Sequence, residues 1–216
     1  MRVKCYIAII MKDAELPSVR RTGRPLSFDR ETALDAAMHL FWRHGFEATS
    51  IAELTKAMGI TPPSLYAAFG DKQGLFLATI DRYLGGVEAV TQTIASAASA
   101  REAAHDLLTA AALGDSREDA PPGCLLASSI VSSSMGAEPV RERLAQIRRN
   151  IEGALRERIE RDIRDRILPV DTDADMLAGH VFAVVQGMST LAKDGANRGK
   201  LLKIADAAMA GWPSRG

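Results

Sequence analysis

The sequence has few cysteines and no excess of charge of either sign. Its two cysteines, Cys5 and Cys124, are too few for a disulfide framework and lack the CxxC pairing of a redox or zinc site. Lysine plus arginine equal aspartate plus glutamate at 27 each, so no global field draws the chain to nucleic acid and any basic surface must be local. Because disulfides are absent by this count, we expect a reducing, cytoplasmic location.

Long hydrophobic runs are missing as well. The apolar stretch CYIAIIM ends at Lys12 after about seven residues, without a small-residue cleavage site behind it, whereas a membrane span needs ~20 residues. We therefore expect no membrane partner. Residues 1–22 are predicted to be either a disordered tail or a mis-assigned start, with Met11 as the true first residue.

Patterns typical of catalysis are also absent. None of the histidines forms an HExxH motif or lies beside a plausible serine nucleophile, and they are far apart in sequence, at His39, His44, His105 and His180. No glycine-rich phosphate loop or metal-ligand spacing occurs. We expect no enzyme, no metal and no cofactor. The alternative is a helical redox enzyme that uses Cys124, but such an enzyme normally has a resolving cysteine nearby.

What the sequence does contain is a helix, a glycine turn and a second helix within residues 49–69. Ser50, with a glutamate three residues later, fits a capping box at the start of the first helix. Gly59 can adopt the left-handed conformation that ends this helix. Thr61 is a favourable N-cap for the second helix, and the two prolines after it fit a first turn. This order is typical of a helix-turn-helix that binds DNA.

The second helix is predicted to read DNA partly through apolar contacts. Pro62 and Pro63 remove two amides that could bond phosphate, and their rings can contact thymine methyl groups. Polar contacts must then come from Thr61, Ser64 and Tyr66. The tyrosine can pack with its ring while its hydroxyl group reaches a phosphate.

Two cationic features flank this motif. Lys72 lies in the first turn of the next helix, where a cation is unfavourable without a nearby anion, so we assign it a DNA phosphate. Arg20, Arg21 and Arg24 form a basic arm that either contacts phosphates or the minor groove, or is only a solubilising tail. The predicted DNA-contacting residues are Arg24, Thr49, Ser50, Thr61, Pro62, Pro63, Ser64, Tyr66 and Lys72.

The residues around this motif resemble the N-terminal domain of the TetR family of transcriptional regulators over residues 23–84. The resemblance rests on the order and spacing of Gly23-Arg24-Pro25, Phe28-Asp29, Ala33 to Phe41, Gly45-Phe46, Thr49-Ser50, Leu65-Tyr66, Phe69 and Lys72. It implies an all-α fold of about nine helices. A three-helix DNA-binding domain is expected at residues 23–73, and a larger helical domain for ligand binding and dimerisation at residues 74–216. It further implies a repressor that binds a palindromic operator as a dimer and leaves it when a small-molecule effector binds.

The second half of the chain is helical by pattern, without strand alternation or an internal repeat. We expect a long fourth helix that continues through Gly85 and Gly86, and a charged helix at residues 140–167 with one solvated face. The i,i+4 ion pairs predicted on that face are Glu152 with Arg156, Glu157 with Arg161, Glu160 with Arg164, and Asp162 with Arg166. Two final helices rich in small residues are predicted to form a homodimer interface; packing within one chain is the alternative.

The resemblance also implies that an effector pocket in the second domain controls the spacing of the two recognition helices, one in each subunit of the dimer. The candidate pocket residues are polar or reactive groups in apolar helical stretches, namely Gln92, His105, Cys124, His180 and Gln186. Cys124 is either a sensor of electrophiles or an inert buried thiol, since its pKa decides between them. A helical ligand-binding protein without specific DNA binding remains an alternative function.

Overall fold

The computed structural model describes residues 28–128 and 138–213. Within these two ranges the chain forms ten helices and no strands. In chain order they are α1 (Arg30–His44), α2 (Ile51–Met58), α3 (Pro62–Phe69), α4 (Lys72–Leu84), α5 (Val87–Ser96), α6 (Ala100–Asp115), α7 (Leu125–Ser128), α8 (Glu138–Arg164), α9 (Ala174–Lys193) and α10 (Arg198–Ala210). The predicted tail at 1–22, the arginine arm and residues 129–137 of the second half lie outside the described residues.

Helix ends in the first domain follow the capping signals of the sequence. The Asp29 carboxylate accepts a hydrogen bond of 2.9 Å from the Glu31 amide and begins α1. Ser50 and Glu53 form the predicted reciprocal capping box at α2, and Gly59 ends this helix with φ +66°. Each such cap contributes about 1 kcal/mol, which fixes the boundaries of these short helices.

The prediction of a long fourth helix is wrong. Gly85 and Gly86 both have positive φ values, +70° and +95°, so α4 ends at Leu84 and a separate helix begins at Val87. Side chains with a Cβ atom avoid this backbone region, and two consecutive glycines make the break inexpensive. The chain therefore changes direction between α4 and α5.

An aromatic core holds α1 against α4 and supports the short helices. The Phe41 and Phe76 rings meet edge to face with centroids 4.9 Å apart, and the Phe46 ring lies 5.1 Å from Phe76. Leu54 of α2 and Leu65 of α3 are fully buried in the same core. Burial of each such side chain stabilises the fold by roughly 1.5–3 kcal/mol, so the position of α3 depends on packing with α1 and α4.

Charged groups add a second link between α1 and α4. The Arg82 guanidinium of α4 binds the Asp35 carboxylate in a bidentate manner, with Nε to Oδ1 at 2.5 Å and Nη2 to Oδ2 at 2.7 Å. It also pairs with Glu31. A planar fork fixes orientation as well as distance, so α1 is held in one register along α4.

The second domain is a layered helical bundle. Helix α8 packs against α5 and α9, and α6 packs against α9 and α10. Fully buried leucines such as Leu108, Leu144 and Leu155 fill the space between these helices. Among the helices described, none combines the length and apolar character needed to cross a membrane.

The ion pairs of the charged helix α8 differ from those predicted. Arg156 pairs with Glu160 four residues ahead and not with Glu152. Arg158 and Asp162, 5% and 1% exposed, form a buried ion pair on a helix whose charged face was predicted to be solvated. Arg158 and Asp162 are buried because the turn between α5 and α6 packs on this end of α8. That turn brings backbone groups that need hydrogen-bond partners.

Candidate nucleic-acid interface

Helix α3 presents a compact, mostly apolar outer face. The Thr61 hydroxyl accepts from the Ser64 amide at 3.4 Å, and the two prolines occupy the first turn as predicted. Pro62, Pro63 and Ala67 are exposed, and Tyr66 is 49% exposed, whereas Leu65 is buried on the opposite side. Ala67 was not predicted, although its position four residues after Pro63 places it on the same helical face. This face suits contact with thymine methyl groups.

The polar groups of α3 are partly engaged with one another. The Thr61 and Ser64 hydroxyl oxygens lie 2.9 Å apart, within hydrogen-bond distance. Each hydroxyl group has one donor and two acceptor positions, so both keep capacity for a base edge or a phosphate while bonded to each other. Thr61 is exposed and Ser64 is partly buried, which leaves Thr61 the more accessible of the two.

The start of α2 brings two further candidates to different positions. Thr49 is 1% exposed, and its hydroxyl group donates to the Gly45 carbonyl oxygen at 2.7 Å, so the structure places it inside the turn that follows α1. Ser50 is exposed at the N-terminus of α2, where its hydroxyl group and amide both bond the Glu53 carboxylate. This arrangement directs Ser50 toward solvent and Thr49 toward the protein.

Lys72 begins α4 beside the turn that precedes α2. Its ammonium group lies 4.7 Å from the Phe46 ring centroid and donates to the Glu47 carbonyl oxygen at 3.2 Å. Partial burial lowers the pKa of Lys72, while Glu47 and Glu53 oppose this change. The two direct partners are a ring face and a carbonyl oxygen, so they position the ammonium group without neutralising its charge.

A cation that the sequence did not single out lies near the end of α3. The Arg30 guanidinium of α1 is 5.0 Å from the Phe69 ring centroid. Its place one residue after the Asp29 cap gave no signal of this contact, since Phe69 lies 39 positions later along the chain. Arg24 lies outside the described residues.

None of the five predicted effector residues lines either of the two cavities described below. Gln92 of α5, His105 of α6 and His180 of α9 are exposed on three helices, whereas Cys124 and Gln186 are partly buried. Burial raises the pKa of the Cys124 thiol to about 11, and the nearby Asp115 carboxylate acts in the same direction. Within residues 28–128 and 138–213, no group of three or more acidic, histidine or cysteine side chains could hold a metal ion.

Two cavities differ in size and place. An apolar pocket of about 30 Å³ between α5 and α6, lined by residues such as Val90 and Leu107, has room for little more than one water molecule. A cleft of about 580 Å³ separates α1 from the loop before α7 and the end of α9. Its lining residues are His39, Trp42, Arg43, Glu118, Asp119, Ala120, Pro121, Pro122 and Lys193. We refer to it below as the interdomain cleft.

A capped recognition helix carried by α1 and α4, followed by a helical second domain, defines a helix-turn-helix regulator in two domains. Family models agree: the model of bacterial regulatory proteins of the tetR family matches residues 33–79, and a tetracyclin repressor-like C-terminal domain matches residues 104–200. The chain belongs to the TetR family and is a DNA-binding transcriptional regulator, as the sequence resemblance predicted.

Similar proteins extend this match over most of the chain. The Escherichia coli K12 repressor ComR is 38% identical over 197 residues, which are 88% of this chain and 92% of ComR. The repressor BdcR of the same strain is 34% identical, covering 89% of this chain and 92% of BdcR. The regulator CifR, solved as a cysteine mutant with 26-base-pair operator DNA, superimposes with a TM-score of 0.80 at 40% identity, covering 88% and 100% of the two chains.

Proposed function

We propose that the protein is a repressor that binds a palindromic operator as a homodimer and leaves it when a small molecule binds the second domain. The observation that carries this proposal is the exposed face of α3, with Pro62, Pro63, Tyr66 and Ala67 outward and Leu65 anchored in the core. ComR and BdcR, which are similar over most of their length, are repressors by name. The proposed site of action is the cytoplasm, and no enzymatic activity is part of the proposal.

Roles within the interface follow from chemistry. Ser64 and Thr61 offer hydroxyl groups at the α3 N-terminus, so we assign them base or phosphate contacts, with Tyr66 and Lys72 on phosphates. Ser50 lies at the positive end of the α2 dipole, which suits a phosphate. Thr49 supports this group from within the fold. Arg24 lies outside the described residues and keeps the assignment of the basic arm, a phosphate or the minor groove.

Substitutions at Ser64 and Lys72 test these roles. We expect Ser64→Ala to change the ranking of operator variants, because a base contact carries sequence information. Lys72→Ala should weaken binding to every duplex alike and reduce the slope of affinity against salt by about one charge. Fluorescence anisotropy on a panel of operator variants measures both effects. Equal loss across the panel for both variants would contradict the assignment of Ser64.

Dimerisation is supported by a stripe on α9. Met176, His180, Ala183, Gly187 and Thr190 are exposed at intervals of three or four residues and therefore share one face of the helix. Among the described residues, a Cβ atom on Gly187 would meet nothing within 4 Å, so packing within this part of the chain does not require glycine there. A close partner helix would require it, and two such subunits can read half-sites one DNA turn, ~34 Å, or more apart.

Effector control is the part of the proposal that rests most on the family. Of the five predicted pocket residues, Cys124 and Gln186 are partly buried. We therefore keep these two as candidates for contact with an enclosed effector. The exposed Gln92, His105 and His180 would have to act at a surface or a subunit contact. A Cys124 pKa near 11 leaves little thiolate at neutral pH, which counts against both a catalytic cysteine and a rapid electrophile sensor.

Cys124→Ser provides the test of effector sensing at this residue. Operator-bound protein is treated with N-ethylmaleimide, and release is followed by fluorescence anisotropy. If Cys124 senses electrophiles, release should be lost in the variant and kept in Cys5→Ser. Release that is unchanged in Cys124→Ser would remove this residue from the proposal.

A further inference from the structure

Gly123 and Cys124, named here the Gly123 turn, form hydrogen bonds with three separate helices. The Gly123 amide donates to the Asp115 carbonyl oxygen at the end of α6, at 2.9 Å. The Gly123 carbonyl oxygen accepts from the Trp42 indole of α1 at 2.8 Å, and the Cys124 amide donates to the Ser189 hydroxyl group of α9 at 2.8 Å. Two consecutive residues therefore connect the DNA-binding domain to the helix with the proposed dimer stripe.

Trp42 forms the α1 side of this connection. Its side chain is buried, and its hydrogen bond to Gly123 spans 81 positions of sequence in a buried environment. The Trp42 ring also meets the Tyr83 ring of α4 edge to face, with centroids 5.0 Å apart. An indole N–H without its acceptor would be costly in such a place, so the bond restricts where α1 can lie relative to the turn.

The α9 side is just as restricted. Gly123 has φ +79°, and a Cβ atom there would lie 2.9 Å from the Ser189 carbonyl oxygen and 3.0 Å from Lys193 Cγ. The turn is thus packed directly on the backbone of α9 and cannot slide along it freely. A displacement of α9 must move the turn or break its hydrogen bond to Ser189.

The interdomain cleft shows why this contact matters. It is lined by Trp42 and Arg43 of α1 on one side and by the 118–122 loop and Lys193 on the other, so these surfaces are separated rather than packed. Next to this open space, the hydrogen bond from Trp42 to Gly123 is a fixed point between α1 and the second domain.

We propose that Trp42 and Ser189 are positioning residues for operator binding. Through the Gly123 turn they set the orientation of α1, and with it α3, relative to α9. A movement of α9, whether from a partner subunit or an effector, is transmitted to the recognition helix along this path. The inference rests on the proposed function in one respect, that a dimer with a defined distance between its two α3 helices reads the operator.

The two tryptophans of the chain supply a matched pair of variants. Trp42→Phe removes an indole N–H that bonds Gly123, whereas Trp212→Phe removes a buried indole N–H that has no hydrogen-bond partner in the described structure. Ser189→Ala removes the acceptor of the Cys124 amide from the other side. Because the ring stays aromatic in both tryptophan variants, the comparison isolates the hydrogen bond.

The first readout is the preference for half-site spacing, measured by fluorescence anisotropy on the operator and on versions with two base pairs inserted or removed at its centre. We expect Trp42→Phe and Ser189→Ala each to reduce this preference about fivefold, the value of one buried hydrogen bond. The double variant should lose no more than either single one, since both act through one turn. A purely structural role would lower binding to all three duplexes alike.

The second readout is hydrogen exchange of the protein without DNA. Trp42→Phe should speed exchange of the Gly123 and Cys124 amides at least several-fold while a core peptide around Leu155 is unchanged; Trp212→Phe should not. An unchanged rate at these amides, or an additive double variant, would overturn the inference. Wild-type protein that lacks a spacing preference contradicts the proposed dimeric repressor, and hydrogen exchange then decides the inference by itself.

Discussion

Asp115 is a carboxyl group in an unusual position. It is 2% exposed, and among residues 28–128 and 138–213 its Oδ2 atom has no hydrogen-bond partner. Burial raises its pKa from 3.8 to about 7, with Lys193 opposing the change. The folded protein therefore holds the proton more tightly than the unfolded chain. Stability from this group is fully present below pH 3.8 and is lost as pH rises through about 7.

Asp115→Asn tests this linkage, since it keeps the shape of the side chain and removes the titration. Relative to the variant, the wild-type protein should lose free energy of unfolding on the order of 2–4 kcal/mol between pH 4 and pH 8. Urea unfolding at a series of pH values measures the difference. A difference that stays constant across this range would show that Asp115 titrates normally.

Cys124 provides a second residue-level prediction, in a Cys5→Ser background where it is the single thiol. With a pKa of about 11 instead of 9, iodoacetamide should alkylate it roughly 100-fold more slowly than the unfolded chain at pH 8. Asp115→Asn should speed the reaction, because the Asp115 charge helps to raise the pKa of this thiol. Alkylation at the rate of the unfolded protein would contradict the buried position of the sulfur.

At the scale of elements, the end of α8 holds the turn between α5 and α6. The Arg158 guanidinium donates to the carbonyl oxygens of Ala97 and Ala98 and pairs with Asp162. The Asp162 carboxylate also accepts from the Ala100 amide at 2.7 Å, in the first turn of α6. The buried pair therefore satisfies backbone groups that a turn between two helices leaves without partners.

Removing one member of this pair should be costly. We expect Asp162→Ala to lower the free energy of unfolding by about 3–5 kcal/mol, because Arg158 and the Ala100 amide would remain buried without it. Glu160→Ala on the same helix is the control, since it breaks a half-exposed pair with Arg156 that is worth about 0.5 kcal/mol. Similar losses in the two variants, measured by urea unfolding, would refute the special role of Asp162.

The sequence predicted elements well where a local signal determines them. Ser50 and Thr61 cap their helices as expected, because a cap depends only on residues within one turn. The break at Gly85 was missed because two consecutive glycines weaken a helix, but the sequence alone does not determine whether the helix bends or ends there. The burial of Arg158 was missed because nothing in α8 reveals that the α5–α6 turn covers it.

The candidate site divides in the same way. The structure exposes Pro62, Pro63 and Tyr66 on the outer face of α3, where the sequence placed its candidate base and phosphate contacts. Their contact with DNA stays a prediction. Thr49 was expected to contact DNA but is buried. Its hydroxyl group donates to the Gly45 carbonyl oxygen, a contact that exists only in the folded turn. The bond from Trp42 to Gly123 joins residues 81 positions apart, and no periodicity encodes such a contact.

For the whole molecule, the glycine on the α9 stripe predicts how the dimer can be broken. Gly187→Arg should leave the subunit folded, because a Cβ atom there meets nothing within 4 Å in the part of the chain that the structure describes. Arginine is also a better helix former than glycine. It should place a charge in the subunit contact and yield monomers. Gly153→Arg in α8 is the matched control, since its Cβ position is equally open. Light scattering after gel filtration gives the oligomeric state, and a dimeric Gly187→Arg protein would exclude this interface.

Sequence-specific operator binding can be tested by a fluorescence-anisotropy titration of the protein against the DNA upstream of its own gene. It is made at two salt concentrations, with a random duplex of equal length as the control. We expect nanomolar, sequence-selective binding that weakens as salt rises, because cations such as Lys72 displace counterions from phosphates. Weak binding of equal strength to both duplexes would contradict a repressor of its own upstream region.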